Sequence, residues 1–262
     1  MAHVFLPELR LNAELSGPPG GPALVLVHAL GTSLHLWDGL LPLLPASLRI
    51  LRFDLRGHGQ SDVPPAPYAM GALIRDTERL MEHFGMKDAV ILGLSIGGLI
   101  AQGLAVKRLD LIRGMVLSNT AARIGRPEQW SDRIDAVRKG GMAAIHDATM
   151  ERWLGRKWRS NPALPLVSAP FLATAPEGWA GCAAAISGTD FYETTATLTL
   201  PTLAIAGAND GSTPPDLVRE TAELVRGHRF ALMRGAGHLP PAEKPAEYAA
   251  ILTQFLSEIG HV

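Results

Sequence analysis

Five short runs of branched apolar residues constrain this chain more than any other feature: 23–28 (ALVLVH), 49–53 (RILRF), 89–94 (AVILGL), 114–118 (GMVLS) and 202–206 (TLAIA). Each is bounded by Gly, Pro or Asp and reads as a strand buried on both faces. Between them the periodicity changes. Over 70–84, Leu73, Thr77, Leu80, Met81 and Phe84 recur at helical spacing, with Asp76, Glu78 and Glu82 elsewhere and Gly85 as the stop. Pro245 opens a last helix whose stripe is Tyr248, Ile251, Leu252 and Phe255. Alternating strands and helices predict an α/β fold, a mostly parallel sheet covered on both faces.

The alternation breaks between 122 and 195, where buried-strand signals give way to helical stretches with Gly-Gly and Pro breaks. That predicts an inserted helical cap over 122–195, with the α/β core formed by 1–121 and 196–262. Four of the five tryptophans (Trp130, Trp153, Trp158, Trp179) fall there, and from Arg123 to Ser160 nine Lys or Arg face five Asp or Glu. The chain as a whole is balanced, 24 basic against 25 acidic residues, which argues against a nucleic-acid partner. Cys182, the only cysteine, excludes an internal disulfide, a CxxC pair and a thiolate zinc site. Residues 1–8 lack the pattern of an export signal. The uncharged stretch 89–106 contains four glycines, Ser95 and Gln102, and reads as a strand turning into a helix rather than a membrane span. A cytoplasmic protein with no membrane partner is the expectation, and a homo-oligomer remains open.

Gly93-Leu94-Ser95-Ile96-Gly97 directly follows one of these strands and opens an apolar helix. A serine at so sharp a turn needs small neighbours two positions away on either side, so that strand and helix can pass closely. A hydroxyl is a weak nucleophile without a base and an orienting acid. Two later loops supply them: Gly207-Ala208-Asn209-Asp210 after the strand 202–206, and Gly235-Ala236-Gly237-His238 after the strand-like run 229–233. Parallel strands bring such loops to one sheet edge, so Ser95, His238 and Asp210 are the candidate nucleophile, base and acid. The remaining histidines lack this setting, most reading as surface or turn residues, and His35 and His146 show no carboxylate or nucleophile context. Asp216 reads as a helix cap, and the amide of Asn119 cannot stabilise an imidazolium. For an oxyanion hole, the expected donors are the N–H groups of Ile96 and of Leu30, in the loop His28-Ala29-Leu30-Gly31-Thr32.

Together with Asp54-Leu55-Arg56-Gly57-His58-Gly59-Gln60-Ser61, these motifs resemble the α/β-hydrolase family over nearly the whole chain, in the family's order Ser, Asp, His. Ala29 stands where many members carry glycine. The cap and its approach are most similar to the 3-oxoadipate enol-lactonases, through Asn119 to Gly125, Arg133 to Met142, Glu151-Arg152-Trp153 and Gly181 to Ile186. The resemblance implies hydrolysis of a small enol-lactone bearing a free carboxylate, in the bacterial β-ketoadipate route, with no cofactor or metal. A buried carboxylate needs a cation or strong donors. Arg133 is the expected cation, with Trp130 and Trp153 as apolar walls whose indole N–H groups could donate. A carboxylesterase, a carbon-carbon bond hydrolase and a hydrolase-fold ligand-binding protein share the same core residues and remain alternatives.

Overall fold

The computed structural model describes residues 2–7 and 9–262. Eight strands form one sheet: β1 (Ala2–Phe5), β2 (Arg10–Ser16), β3 (Ala23–Val27), β4 (Arg49–Phe53), β5 (Ala89–Leu94), β6 (Ile112–Ser118), β7 (Thr202–Gly207) and β8 (Arg229–Met233). Their order is β1-β2-β4-β3-β5-β6-β7-β8, antiparallel at the β1-β2-β4 end and parallel from β4 to β8. β3, β5 and β7 are buried along their whole length, as runs without a polar face demand. β1 and β2 carry no such run. β2 mixes buried and half-buried positions, the signature of an antiparallel strand with one covered face.

The helices are α1 (Met70–His83), α2 (Ile96–Lys107), α3 (Pro127–Gly140), α4 (Ala143–Trp153), α5 (Arg156–Arg159), α6 (Pro165–Ala173), α7 (Pro176–Ser187), α8 (Tyr192–Thr195), α9 (Pro215–Glu223), α10 (Pro240–Glu243) and α11 (Pro245–Glu258). α1 buries Leu73, Thr77, Leu80 and Met81. It also buries two acids that the periodicity assigns to its other side. Asp76 accepts from the Arg56 guanidinium at 2.6 and 2.8 Å, and Glu78 pairs with Lys107 and Arg108 of the neighbouring α2 segment. Burial of carboxylates is tolerable because each is neutralised in place.

The stretch 89–106 is β5 turning into α2, and no helix of the described residues is long and apolar enough to cross a membrane. Between β6 and β7 the regular elements of the described residues are all helices, α3 to α8. They return over the carboxyl edge of the sheet, where Trp130 of α3, Trp153 of α4, Phe171 of α6 and Trp179 of α7 line one cavity with Ser95 and His238.

Candidate active site

Ser95 sits between β5 and α2 with φ +59° and ψ −117°, a conformation costly for any residue with a side chain. The turn is held by the Ser95 N–H on the Ser118 carbonyl at 3.0 Å and by the Thr120 hydroxyl on the Ser95 carbonyl at 2.6 Å. A Cβ on Gly93 would strike the Gly97 carbonyl, and one on Gly97 would strike the Val27 carbonyl. Only glycine lets strand and helix pass this closely, which is why the motif has the spacing it has.

Asp210 follows β7, and its carboxylate is saturated. Oδ1 accepts from the N–H groups of Ser212 and Thr213 at 2.7 and 3.1 Å. Oδ2 accepts from the Thr213 hydroxyl, the Asn119 amide and His238 Nδ1 at 2.8, 2.8 and 2.7 Å. Burial works against ionisation, but His238 and these donors outweigh it and hold the carboxyl below the usual range. The His238 N–H donates to the Trp153 carbonyl at 2.6 Å, and its ring stacks on the Trp153 ring, centroids 5.5 Å apart. One residue earlier, the Arg152 carbonyl accepts from Gly211 N–H at 2.8 Å. The end of α4 therefore grips both the acid loop and the histidine loop.

The loop His28 to Thr32 has an internal scaffold of two buried histidines that sequence reasoning left without a role. His28 Nε2 accepts from Leu55 N–H at 2.9 Å, so its Nδ1 carries the proton and donates to the Ala29 carbonyl at 2.8 Å. His58 Nε2 accepts from Gly31 N–H at 2.9 Å. Among the described residues the N–H groups of Leu30 and Ile96 donate to no protein acceptor. Both histidines are buried: His28 directly follows β3, and His58 lies in the Gly-flanked turn its sequence indicates, its N–H donating to the Leu55 carbonyl at 3.0 Å.

Burial, reinforced by His28, lowers the His58 pKa to about 3. A free histidine titrates near 6.5, so the unfolded chain takes up the proton first as pH falls. Stability tied to His58 is thus intact above pH 6.5 and drains away towards pH 3. In His58→Gln, whose amide oxygen can still accept from Gly31, this loss is absent. Its stability deficit relative to wild type should shrink by about 2 kcal/mol between pH 7.5 and pH 5, measured by urea unfolding. A deficit constant with pH would show that His58 is not held neutral.

The cavity above Ser95 encloses about 270 Å³. Its charged lining is one-sided: Arg133 of α3 and Arg152 of α4 are half-buried and make no ion pair among the described residues. Burial pushes the pKa of Arg133 down; burial and the neighbouring Arg133 do the same to Arg152. Arg133 stacks over the Trp130 ring at 4.9 Å, while Arg152 reaches Thr149 Oγ1 at 3.1 Å and leaves its buried Nε without a partner. Nothing in the spacing of Glu151-Arg152-Trp153 marks Arg152 as a lining residue. One expectation is corrected: Trp130 cannot donate its indole N–H to a ligand, because it already serves the Ile124 carbonyl at 2.7 Å.

A further correction concerns His35 and His146, both of which do meet acids. His35 pairs with Asp38 at 3.0 Å on the surface. His146 contacts Asp147 at 2.8 Å and the Ser168 hydroxyl at 2.7 Å, a second Ser-His-Asp contact. It lacks the rest of an active site. Ser168 lies inside α6 with its own N–H bonded to Leu164, and Asp147 is fully exposed.

The chain belongs to the α/β-hydrolase family, whose model matches residues 22–245. A 3-oxoadipate enol-lactonase of Acinetobacter baylyi is 31% identical, over 92% of this chain and 91% of that one. Among solved structures, the enol-lactonase of Burkholderia xenovorans LB400 is 32% identical, with a TM-score of 0.94, and the match covers 98% of this chain and all of that one. A thermophilic esterase of Thermogutta terrifontis, solved with malate bound, is 28% identical with a TM-score of 0.93 over both chains in full.

Proposed function

We propose that this hydrolase opens a small carboxylate-bearing enol-lactone, 3-oxoadipate enol-lactone to 3-oxoadipate, by an acyl-enzyme route. With Nδ1 spent on Asp210, the His238 nitrogen left for chemistry is Nε2, which takes the Ser95 proton as Oγ bonds the lactone carbonyl carbon. The carbonyl π pair moves onto oxygen, where the N–H groups of Leu30 and Ile96 receive it, the latter at the positive end of α2. Collapse breaks the ring C–O bond, and the departing enolate oxygen takes the proton from His238. It stays tethered within the acyl group, and tautomerisation to the ketone disfavours reclosure. Water then gives a proton to His238 and hydroxide to the acyl carbon, releasing the second carboxylate and restoring Ser95.

The observation that carries the choice of substrate is the pair of unpaired guanidinium groups, Arg133 and Arg152, above the nucleophile. Half-buried positive charge without a partner is costly, and an anionic ligand offsets that cost. The helices α3 to α8 act as the cap that supplies this charge and shields the acyl-enzyme from bulk water. The esterase among the close structural neighbours favours a carboxylesterase as the second reading. The deciding experiment mixes purified protein with the enol-lactone and follows loss of its ultraviolet absorbance. No turnover there, with neutral esters cleaved, would replace the lactonase reading by the esterase one.

Arg133→Ala should raise KM for the anionic lactone about 10- to 100-fold, the worth of a charge-assisted hydrogen bond, while KM for a neutral ester of similar size stays within about twofold. Equal effects on both would move the carboxylate site away from Arg133.

A further inference from the structure

Behind His238 lies a carboxylate that the proposed chemistry does not use. Glu243, at the end of the one-turn helix α10, folds back onto the loop before it. Both its oxygens accept from Gly237 N–H at 2.9 Å, and Oε1 also accepts from Leu239 N–H at 3.1 Å. One carboxylate thus holds the peptide groups on either side of the imidazole. Three other backbone groups here have partners of their own: the His238 N–H on the Trp153 carbonyl, the Gly237 carbonyl with the Asn119 amide at 3.0 Å, and the Leu239 carbonyl with the N–H groups of Ala242 and Glu243. Among these partners, Glu243 is the only one that brings a charge.

We propose that Glu243 is the positioning residue of the histidine loop, holding the imidazole against Asp210 and, once ionised, placing a second negative charge behind the imidazolium. The inference rests on the Ser-His-Asp reading above. His238 must gain and lose a proton twice per turnover without swinging out of line, and a displacement of about 1 Å at such a centre costs on the order of 10²-fold in rate. Glu243 is suited to the task. The charged groups that bear on it are His238, which favours its ionised form, and Asp210, which opposes it; with burial the larger effect, its carboxyl is pushed up to about 7. The adjacent Lys244 points its ammonium at the Arg234 carbonyl and Glu247 instead.

In Glu243→Gln the amide nitrogen must face one of the two backbone N–H donors, and the charge is gone. With a neutral aryl ester as substrate, kcat should fall about 10- to 100-fold with KM nearly unchanged. The acid limb of kcat/KM should move to lower pH, because an imidazolium that has lost a nearby carboxylate sheds its proton more easily. Glu243→Asp keeps the charge but withdraws it by one methylene, so its acid limb should stay at the wild-type position while kcat falls less than in Gln. If Glu243→Gln does not fold, Glu243→Asp carries the test alone: an unchanged kcat there overturns the proposal. Labelling of Ser95 by an organophosphonate separates the two levels of inference. Labelled wild type, with variants that match it in labelling rate and pH profile, overturns the role of Glu243 alone. Wild type that is never labelled overturns the triad reading and this proposal together.

Discussion

Ser95→Ala should lower turnover of any substrate by about 10⁴- to 10⁶-fold and leave the folded protein intact. Among the described residues the hydroxyl donates no hydrogen bond; what holds the turn is the Ser95 backbone, through Ser118 and Thr120, and the glycines around it. Alanine meets the same positive φ as serine, so the local strain is unchanged, and the melting temperature should stay within about 2 °C. Initial rates with an active-site-titrated wild type as reference, and a thermal melt of both proteins, check this. Turnover retained within tenfold would mean that Ser95 is not the nucleophile.

Asp210→Asn should cost turnover about 10⁴-fold, and unlike the serine change it should cost stability too. The carboxylate accepts from five donors with two oxygens. An asparagine offers one oxygen and turns two N–H bonds towards groups that already donate. Whichever way the amide lies, a buried donor loses its acceptor, at about 1 to 3 kcal/mol. The catalytic loss arises because the amide neither stabilises an imidazolium nor selects the tautomer with hydrogen on Nδ1. A lowered melting temperature together with the loss of kcat separates this variant from Ser95→Ala. Near-normal kcat in Asp210→Asn would assign the orienting acid elsewhere.

Much of this was legible before any coordinates, and the reasons are specific. β3, β5 and β7 announce themselves because strands covered on both faces leave no polar alternation to confuse with a helix. Ser95, Asp210 and His238 stand out because each follows a strand in a Gly-marked loop, and the topology of parallel strands does the gathering. What stayed hidden depends on tertiary partners. Asp76 and Glu78 look solvated on a helical wheel and are buried against Arg56, Lys107 and Arg108, 20 to 30 residues away. The occupied indole of Trp130 and the tautomers of His28 and His58 are set by backbone groups with no sequence pattern of their own, and Arg152 turns inward onto the Thr149 hydroxyl. β2 is marked only by the Gly- and Pro-rich turn 17–22 that follows it, because a half-covered strand of mixed residues carries little signal of its own.

The last turn of α4 binds through its carbonyls the two loops that bear the acid and the base, and the same turn presents Arg152 and Trp153 to the cavity. On the function proposed above, ligand selection and proton transfer are therefore mechanically joined at one point of the chain. Adaptation of this hydrolase to other substrates would accumulate changes in α3, α6 and α7, which line the cavity without bonding the Asp210 and His238 loops. Substitutions at the end of α4 would alter affinity and rate together, making that turn a place where new specificity is hard to acquire gradually.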